Sequence, residues 1–475
     1  MQDAAYATLL RARRQELHAR VAATLEQDFG DLVERQPELL ARHLTGAAAT
    51  ERAIDQWLKA GRHAAGRSAH VVAIGHCDRG LALVASLPQT PDRDRREIGL
   101  QLARGPSLLT TKGFNSPEAA ATFERATDLC ETSGDKSQLF IAMWNLWLTT
   151  GIRNIEAARP LSKRLLLLTD QQDNSALRLE AHHSAWYTHF CAGEPAVARG
   201  HCDEGRRLYN FEQHCFLAFS YGGHDPGVCA RQWGALVEWL LGYPDKAVTS
   251  VRDGFHLAER LHHPLTLEHA LFNGAVLRLF RRESDNAFRC ANDAASLAAD
   301  QRLALLWDPD ILRGSALLER GAADEAIASI RAGLAAREAW PLGRQYQMTL
   351  VSEVLQHAGD HDGALAALAV AEKVISTSGE RWWEAEIHRR RGLLLLSERR
   401  LSESQASFET SIRIARAQQA KSLELRAATS LARLWGEQGR RAEAHQLLAP
   451  IYGWFTEGFD TADLKEAKTL LEALA

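Results

Sequence analysis

Much that would announce a chemistry is missing from this chain. There is no run of about 18 apolar residues, so no membrane-spanning helix is expected. The seven cysteines are an odd number in 475 residues. They form no CxxC pair, which suits a reducing compartment better than a disulfide framework. No cationic stretch followed by an apolar run opens the chain, so no signal peptide is read and the cytoplasm is the expected location. Proline is scarce, at 13 residues, and long flexible linkers are not expected. Neither sign of charge dominates: 56 basic against 60 acidic residues leave a net charge of −4. That balance argues against nucleic acid or an anionic membrane as the main partner. No lysine follows a glycine, which excludes a Walker A phosphate loop, and the HExxH and GxSxG signatures are also absent.

What is present is a repeated corner. In Leu240-Leu241-Gly242-Tyr243-Pro244-Asp245, Gly242 is suited to end one helix with φ > 0. Pro244 suits the first turn of the next helix, and Asp245 sits near its positive end. Taking Gly242 as a mark, Arg281, Gly321, Gly359, Arg399 and Gly439 follow at steps of 39, 40, 38, 40 and 40. Seven residues before each mark stand Ala235, Gly274, Gly314, Ser352, Gly392 and Ala432, all small. Five after stand Ala247, Asn286, Ala326, Ala364, Ser404 and Ala444, small except for Asn286. Large apolar residues recur a helical turn from both positions. Small residues let paired helices approach closely, and a pair alone cannot bury its apolar face, so neighbours must stack. The spacing is the pattern of tetratricopeptide repeats, lengthened beyond that family's unit of about 34 residues.

The expected fold is therefore all-α: a right-handed superhelical solenoid of about ten tetratricopeptide-like helix pairs with a C-terminal capping helix. Residues 1–50 read as a helical junction segment out of register with the repeat. Residues 51–460 form the solenoid. Residues 461–475 form the cap, with Thr461 at its N-terminus. Gly193-Glu194-Pro195 repeats the corner, but it lies 49 residues before Gly242. The excess falls in Phe219-Ser220-Tyr221-Gly222-Gly223-His224-Asp225-Pro226-Gly227, an irregular loop on a rigid scaffold. Such loops are disproportionately functional. Tyr221, His224, Asp225 and Arg231 are accordingly the candidate binding residues; the plainer alternative is a tight connection whose Asp caps the next helix.

Cys191, Cys202, Cys215 and Cys229, with His189, His201, His214 and His224 nearby, match no usual zinc spacing. They read as buried cysteines, and neither a metal nor another cofactor is expected. His182-His183 and His262-His263 face different ways on a helix and read as solvated or capping residues. Arg389-Arg390-Arg391, beside Glu384 and Glu386, reads as a solvated face. Trp382-Trp383 are not expected both to face inward, so one would line a groove.

Two stretches carry a resemblance. Gly223-His224-Asp225-Pro226-Gly227-Val228-Cys229-Ala230 with Trp239 to Asp245, and Tyr452 to Thr461 with Asp463 to Ala467, resemble the C-terminal region of large bacterial signalling ATPases. In many of these a class III adenylate/guanylate cyclase domain precedes the ATPase. The resemblance implies that residues 1–50 correspond to the segment joining the ATPase to its repeat arm. It carries over no catalytic residue, because the ATPase and cyclase parts are absent here. The expected function is a non-catalytic scaffold that binds a protein partner, such as an ATPase or cyclase module. The alternative is an arm that senses a small effector in its concave groove.

Overall fold

The computed structural model describes residues 10–170, 173–219, 221–301, 303, 308–336 and 343–475. The first nine residues, where a leader was sought, and Ser220 of the irregular loop lie outside them. All the regular secondary structure among the described residues is helical, with no strand. Contacts divide the chain into two units, Met1–Thr149 and Thr150–Ala475.

The first unit opens with α1 (Arg11–Asp28), α2 (Gly30–Arg35) and α3 (Pro37–Gly46). It continues with the pairs α4 (Thr50–Gly66) and α5 (His70–Val84), then α6 (Pro91–Lys112) and α7 (Pro117–Ser133). The small residues do what their spacing implies. A Cβ on Gly61 would meet Cys77 Sγ at 2.6 Å, and one on Gly80 would meet Leu100 at 2.7 Å. Pro88 to Pro91 breaks the chain as expected, with the Thr90 side chain accepting from the Arg93 amide to start α6. Helix α8 (Lys136–Gly151) follows.

The second unit holds α9 (Ile155–Thr169) and the pair α10 (Ser175–Cys191) and α11 (Pro195–Leu208). The short α12 (Phe211–His214) and a 3-10 turn (Leu217–Phe219) come next. Five pairs follow. They are α13 (Pro226–Leu240) with α14 (Pro244–Leu261), α15 (Pro264–Phe280) with α16 (Ser284–Gln301), and α17 (Pro309–Glu319) with α18 (Ala323–Ala336). The last two are α19 (Arg344–His357) with α20 (His361–Ser378), and α21 (Glu384–Ser397) with α22 (Leu401–Ala417). A sixth pair, α23 (Lys421–Glu437) and α24 (Arg441–Tyr452), precedes the closing helix α25 (Ala462–Leu474). The chain is a tetratricopeptide-like solenoid of consecutive helix pairs.

The marked corners are built the same way. The Gly242 amide donates to the Trp239 carbonyl and the Tyr243 amide to the Glu238 carbonyl at 2.8 Å, with Gly242 at φ +91°. This Schellman geometry satisfies carbonyls that the helix end leaves open. It recurs at Gly193, Gly321, Gly359, Arg399 and Gly439, all with positive φ. One mark needs moving. The left-handed residue of the third corner is Arg282, at φ +60°, whereas Arg281 remains right-handed. Counted from Arg282, the small positions fall on Ala275 and Ala287, both buried, and the Asn286 exception disappears. Arginine at the corner hid the mark because only glycine signals positive φ in a sequence.

The second unit also closes on itself, which no local pattern announced. The amides of Asp245 and Lys246, at the start of α14, donate to Glu457 Oε1 at 3.0 and 3.1 Å. The Gly458 amide returns a bond to Asp245 Oδ2 at 2.9 Å. Ser422 Oγ donates to the Trp239 carbonyl, and the Arg381 amide donates to the Cys191 carbonyl at 2.8 Å. Corners more than 180 residues apart in sequence therefore abut. The inner helices meet across the axis in an aromatic cluster. Phe280 stacks on Trp383 at 4.8 Å, Trp239 lies 4.6 Å from Phe280, and Phe190 lies 4.8 Å from Trp382. Trp382 and Trp383 are both buried, 3% and 2% exposed, contrary to expectation. They sit on the turn before α21, where helix geometry does not force neighbours apart.

Candidate functional site

The irregular loop is an internal joint. Asp225 is the N-cap of α13: Oδ1 accepts from the Val228 amide at 2.9 Å and Oδ2 from the Tyr209 hydroxyl at 2.9 Å. Its own amide donates to Thr266 Oγ1 at 3.0 Å. Tyr221 is buried. Arg231 Nη1 donates to the Gly227 carbonyl at 2.8 Å, and its guanidinium lies over the Tyr209 ring at 5.8 Å. His224 Nδ1 donates to the Gly222 carbonyl at 3.1 Å. Burial pushes the His224 imidazole down to about 3.

Cys191, Cys202 and Cys229 are buried and all seven cysteines are free. The sequence neighbourhood of four cysteines does not come together as one cluster among the described residues. His183, His224 and Cys229 do, with one ligand atom of each within 4.8 Å of the others. His183 is buried against expectation, and its Nδ1 and Glu180 Oε2 are 2.9 Å apart. Its place on the inner face of α10 is set by packing on α13, which a single helix's periodicity does not reveal. His182 is half-buried against His201, with Nδ1 atoms 2.9 Å apart. His263 Nδ1 and Thr266 Oγ1 are 2.8 Å apart, and His262 takes the left-handed C-cap of α14 at φ +50°.

Above the aromatic cluster lies a cavity of about 310 Å³. Its floor includes Phe280, Tyr346 and Trp383, and its walls bring together Arg282, Arg389, Arg390, Arg426 and Arg433 with Glu319, Glu353, Glu386, Asp463 and Glu466. The arginine run is thus no solvated face: Arg389 and Arg390 point inward because α21 is an inner helix of a closed turn. Arg389 clasps Glu386 through Nε and Nη2 at 2.8 and 2.6 Å. Arg390 donates to Glu353 at 3.1 Å and to Gln356 at 2.9 Å. Arg426 donates to Asp463 at 2.7 Å and to the Phe280 carbonyl at 2.5 Å, and lies 4.8 Å over the Trp239 ring. Arg433 and Arg282 both reach Glu466.

The electrostatics follow from these pairs. Burial alone would raise the Glu386 carboxyl, but Arg389 outweighs it and holds Glu386 below its ordinary range. Glu319 opens onto the cavity, and the enclosing walls push its carboxyl up to about 7, with Glu353 adding to the effect. Two polar atoms of the floor, Tyr346 Oη and Trp383 Nε1, are buried with no hydrogen-bond partner. Such groups are rare in folded proteins and each calls for an explanation. Sequence reasoning found Arg389 to Arg391 and Trp383 but assigned them outward or groove-lining roles. It missed Arg426, Tyr346 and Glu319, which nothing local distinguishes.

Among the described residues, no helix is long and apolar enough to cross a membrane. No protein-family model matches the chain. A curated relative, an uncharacterized protein of Rhizobium meliloti (strain 1021), is 24% identical over 440 residues. The match takes in 91% of this chain but 43% of the relative, so the chain spans less than half the length of that protein. Among solved structures, a Rap protein complexed with competence and sporulation factor is 11% identical. That match covers 83% of this chain and 99% of the other, with a TM-score of 0.49. A signal transduction ATPase with numerous domains from Pyrococcus horikoshii, bearing a tetratricopeptide repeat sensor, is 13% identical. It covers 84% of this chain and 56% of the other, with a TM-score of 0.42.

Proposed function

We propose that this chain is a non-catalytic cytoplasmic repeat arm that binds and regulates a partner protein, an ATPase or adenylate cyclase module of a bacterial signalling system. The observation that carries this reading is the match to a relative of more than twice the matched length, in which the repeat region is one part. The two stretches that resemble the arms of signalling ATPases meet at the Asp245–Glu457–Gly458 contact, so they act as one structural feature. The test is co-purification of the full chain with an ATPase or cyclase module encoded beside it, followed by that module's turnover with and without the arm. A stable complex with altered turnover is expected. No complex by gel filtration and unchanged turnover would overturn the proposal.

The second reading, a small effector held in the concave interior, is favoured by one observation: the unpartnered Tyr346 Oη and Trp383 Nε1 beneath a cavity of about 310 Å³. That volume is at the lower end for small-molecule sites. Five guanidiniums against five carboxylates suit a small zwitterion. A panel of amino acids and short peptides is expected to include one that raises the melting temperature. An effector reading fails if every member leaves the melting temperature unchanged.

A further inference from the structure

We infer that His183, His224 and Cys229 form a buried zinc-binding site joining α10, the 222–225 loop and the first turns of α13. His183 comes from the middle of α10, whereas His224 stands just before the N-cap of α13 and Cys229 within its first turns. The three ligand atoms lie within 4.8 Å of one another. Cys229 Sγ and His183 Nε2 are 3.3 Å apart. Tetrahedral zinc with Zn–S of about 2.3 Å and Zn–N of about 2.0–2.1 Å holds such a pair roughly 3.6 Å apart, so a shift of a few tenths of an ångström admits the ion.

The surroundings set both imidazoles in the ligand form. A backbone carbonyl can only accept, so the contact with Gly222 fixes the proton of His224 on Nδ1. Its Nε2 lone pair is then bare, and that atom is buried without a hydrogen-bond partner. His183 Nδ1 meets Glu180 Oε2 at 2.9 Å, which turns its Nε2 toward Cys229. This carboxylate–histidine arrangement is the usual outer shell of a zinc ligand.

The donor set suits zinc. Two imidazoles and one thiolate are donors that protein zinc sites commonly use. On binding, the Cys229 S–H bond breaks, the Zn–S bond forms and one proton leaves to solvent, with no change of oxidation state. The fourth position is left to a small exogenous ligand such as water or chloride. The consequence is mechanical: the ion pins the irregular loop to two inner helices.

The full chain, stripped with chelator, is titrated separately with zinc, cobalt(II) and cuprous ion. One zinc per chain is expected, with proton release that scales with the ionisation enthalpy of the buffer. Cobalt is expected to give a thiolate-to-metal charge-transfer band that zinc displaces. In Cys229→Ser the band is lost, and in His224→Gln zinc affinity falls at least tenfold. Wild-type protein alone decides if either variant misfolds. Cobalt binding without a thiolate band, or no zinc binding at micromolar concentration, overturns the site. Tighter cuprous than zinc binding at a matched pH overturns the choice of ion.

Discussion

Alanine at Gly242 separates the two roles that corner glycines play. All the marked glycines have positive φ, and a left-handed backbone costs an L-residue about 1–2 kcal/mol. At Gly439, φ is +81° and an added Cβ would meet nothing within 4 Å. Gly439→Ala should therefore lose only that backbone term. At Gly242 an added Cβ would meet Trp454 Cζ3 at 2.5 Å and Lys421 Cβ at 2.9 Å, atoms of the segment that closes the turn. Overpacking of this kind adds about 1–3 kcal/mol. Gly242→Ala should thus be less stable than Gly439→Ala by about 1–3 kcal/mol in urea unfolding. Hydrogen exchange followed by mass spectrometry should show residues 452–461 opening in the first variant only. Equal losses with unchanged exchange in that segment would refute the claim that the corner supports the following turn.

Other outcomes follow from buried groups. Arg426→Met removes the partner of Asp463 and the cap on the Phe280 carbonyl, and should cost about 3–5 kcal/mol by chemical unfolding. Tyr346→Phe deletes a hydroxyl that has no partner, so stability of the unliganded protein should hold or rise; a loss above about 1 kcal/mol would show a hidden partner. Glu380 is 1% exposed and accepts from the Gly343 amide and from Trp382 Nε1. Burial outweighs those bonds and pushes its carboxyl from 4.5 up to about 7. The fold then holds a proton that the unfolded chain has released, so this contribution falls as pH rises from 4.5 to 7 and is level above. Glu380→Gln should flatten that slope, by up to about 3 kcal/mol across the window; parallel pH profiles for the two proteins would contradict it.

The repeat was legible because it is local. Small residues at Ala235, Gly314 and Ala364 and glycines at the corners record contacts within one helix pair, and such contacts have a fixed period. Closure of the turn was not legible, since Glu457 meeting Asp245 leaves no period behind. Most of the misread side chains trace to that. Arg389, Arg390, Trp382 and Trp383 look outward or divided when one helix is considered alone, and face inward once α13 and α23 meet across the axis. The loop residue Asp225 was legible as a cap, because a cap is also a local device. His183 was not legible as a neighbour of Cys229, 46 residues away.

The closed turn is tested most directly by amide hydrogen exchange at Asp245 and Lys246. The first amides of a helix have no acceptor within it, so in an open solenoid these two exchange freely. Here Glu457 accepts from both, across 212 and 211 residues of sequence. The account predicts slow exchange at both amides in the intact chain and its loss in Glu457→Ala. Exchange at the rate of an unstructured peptide in the unaltered protein would contradict it.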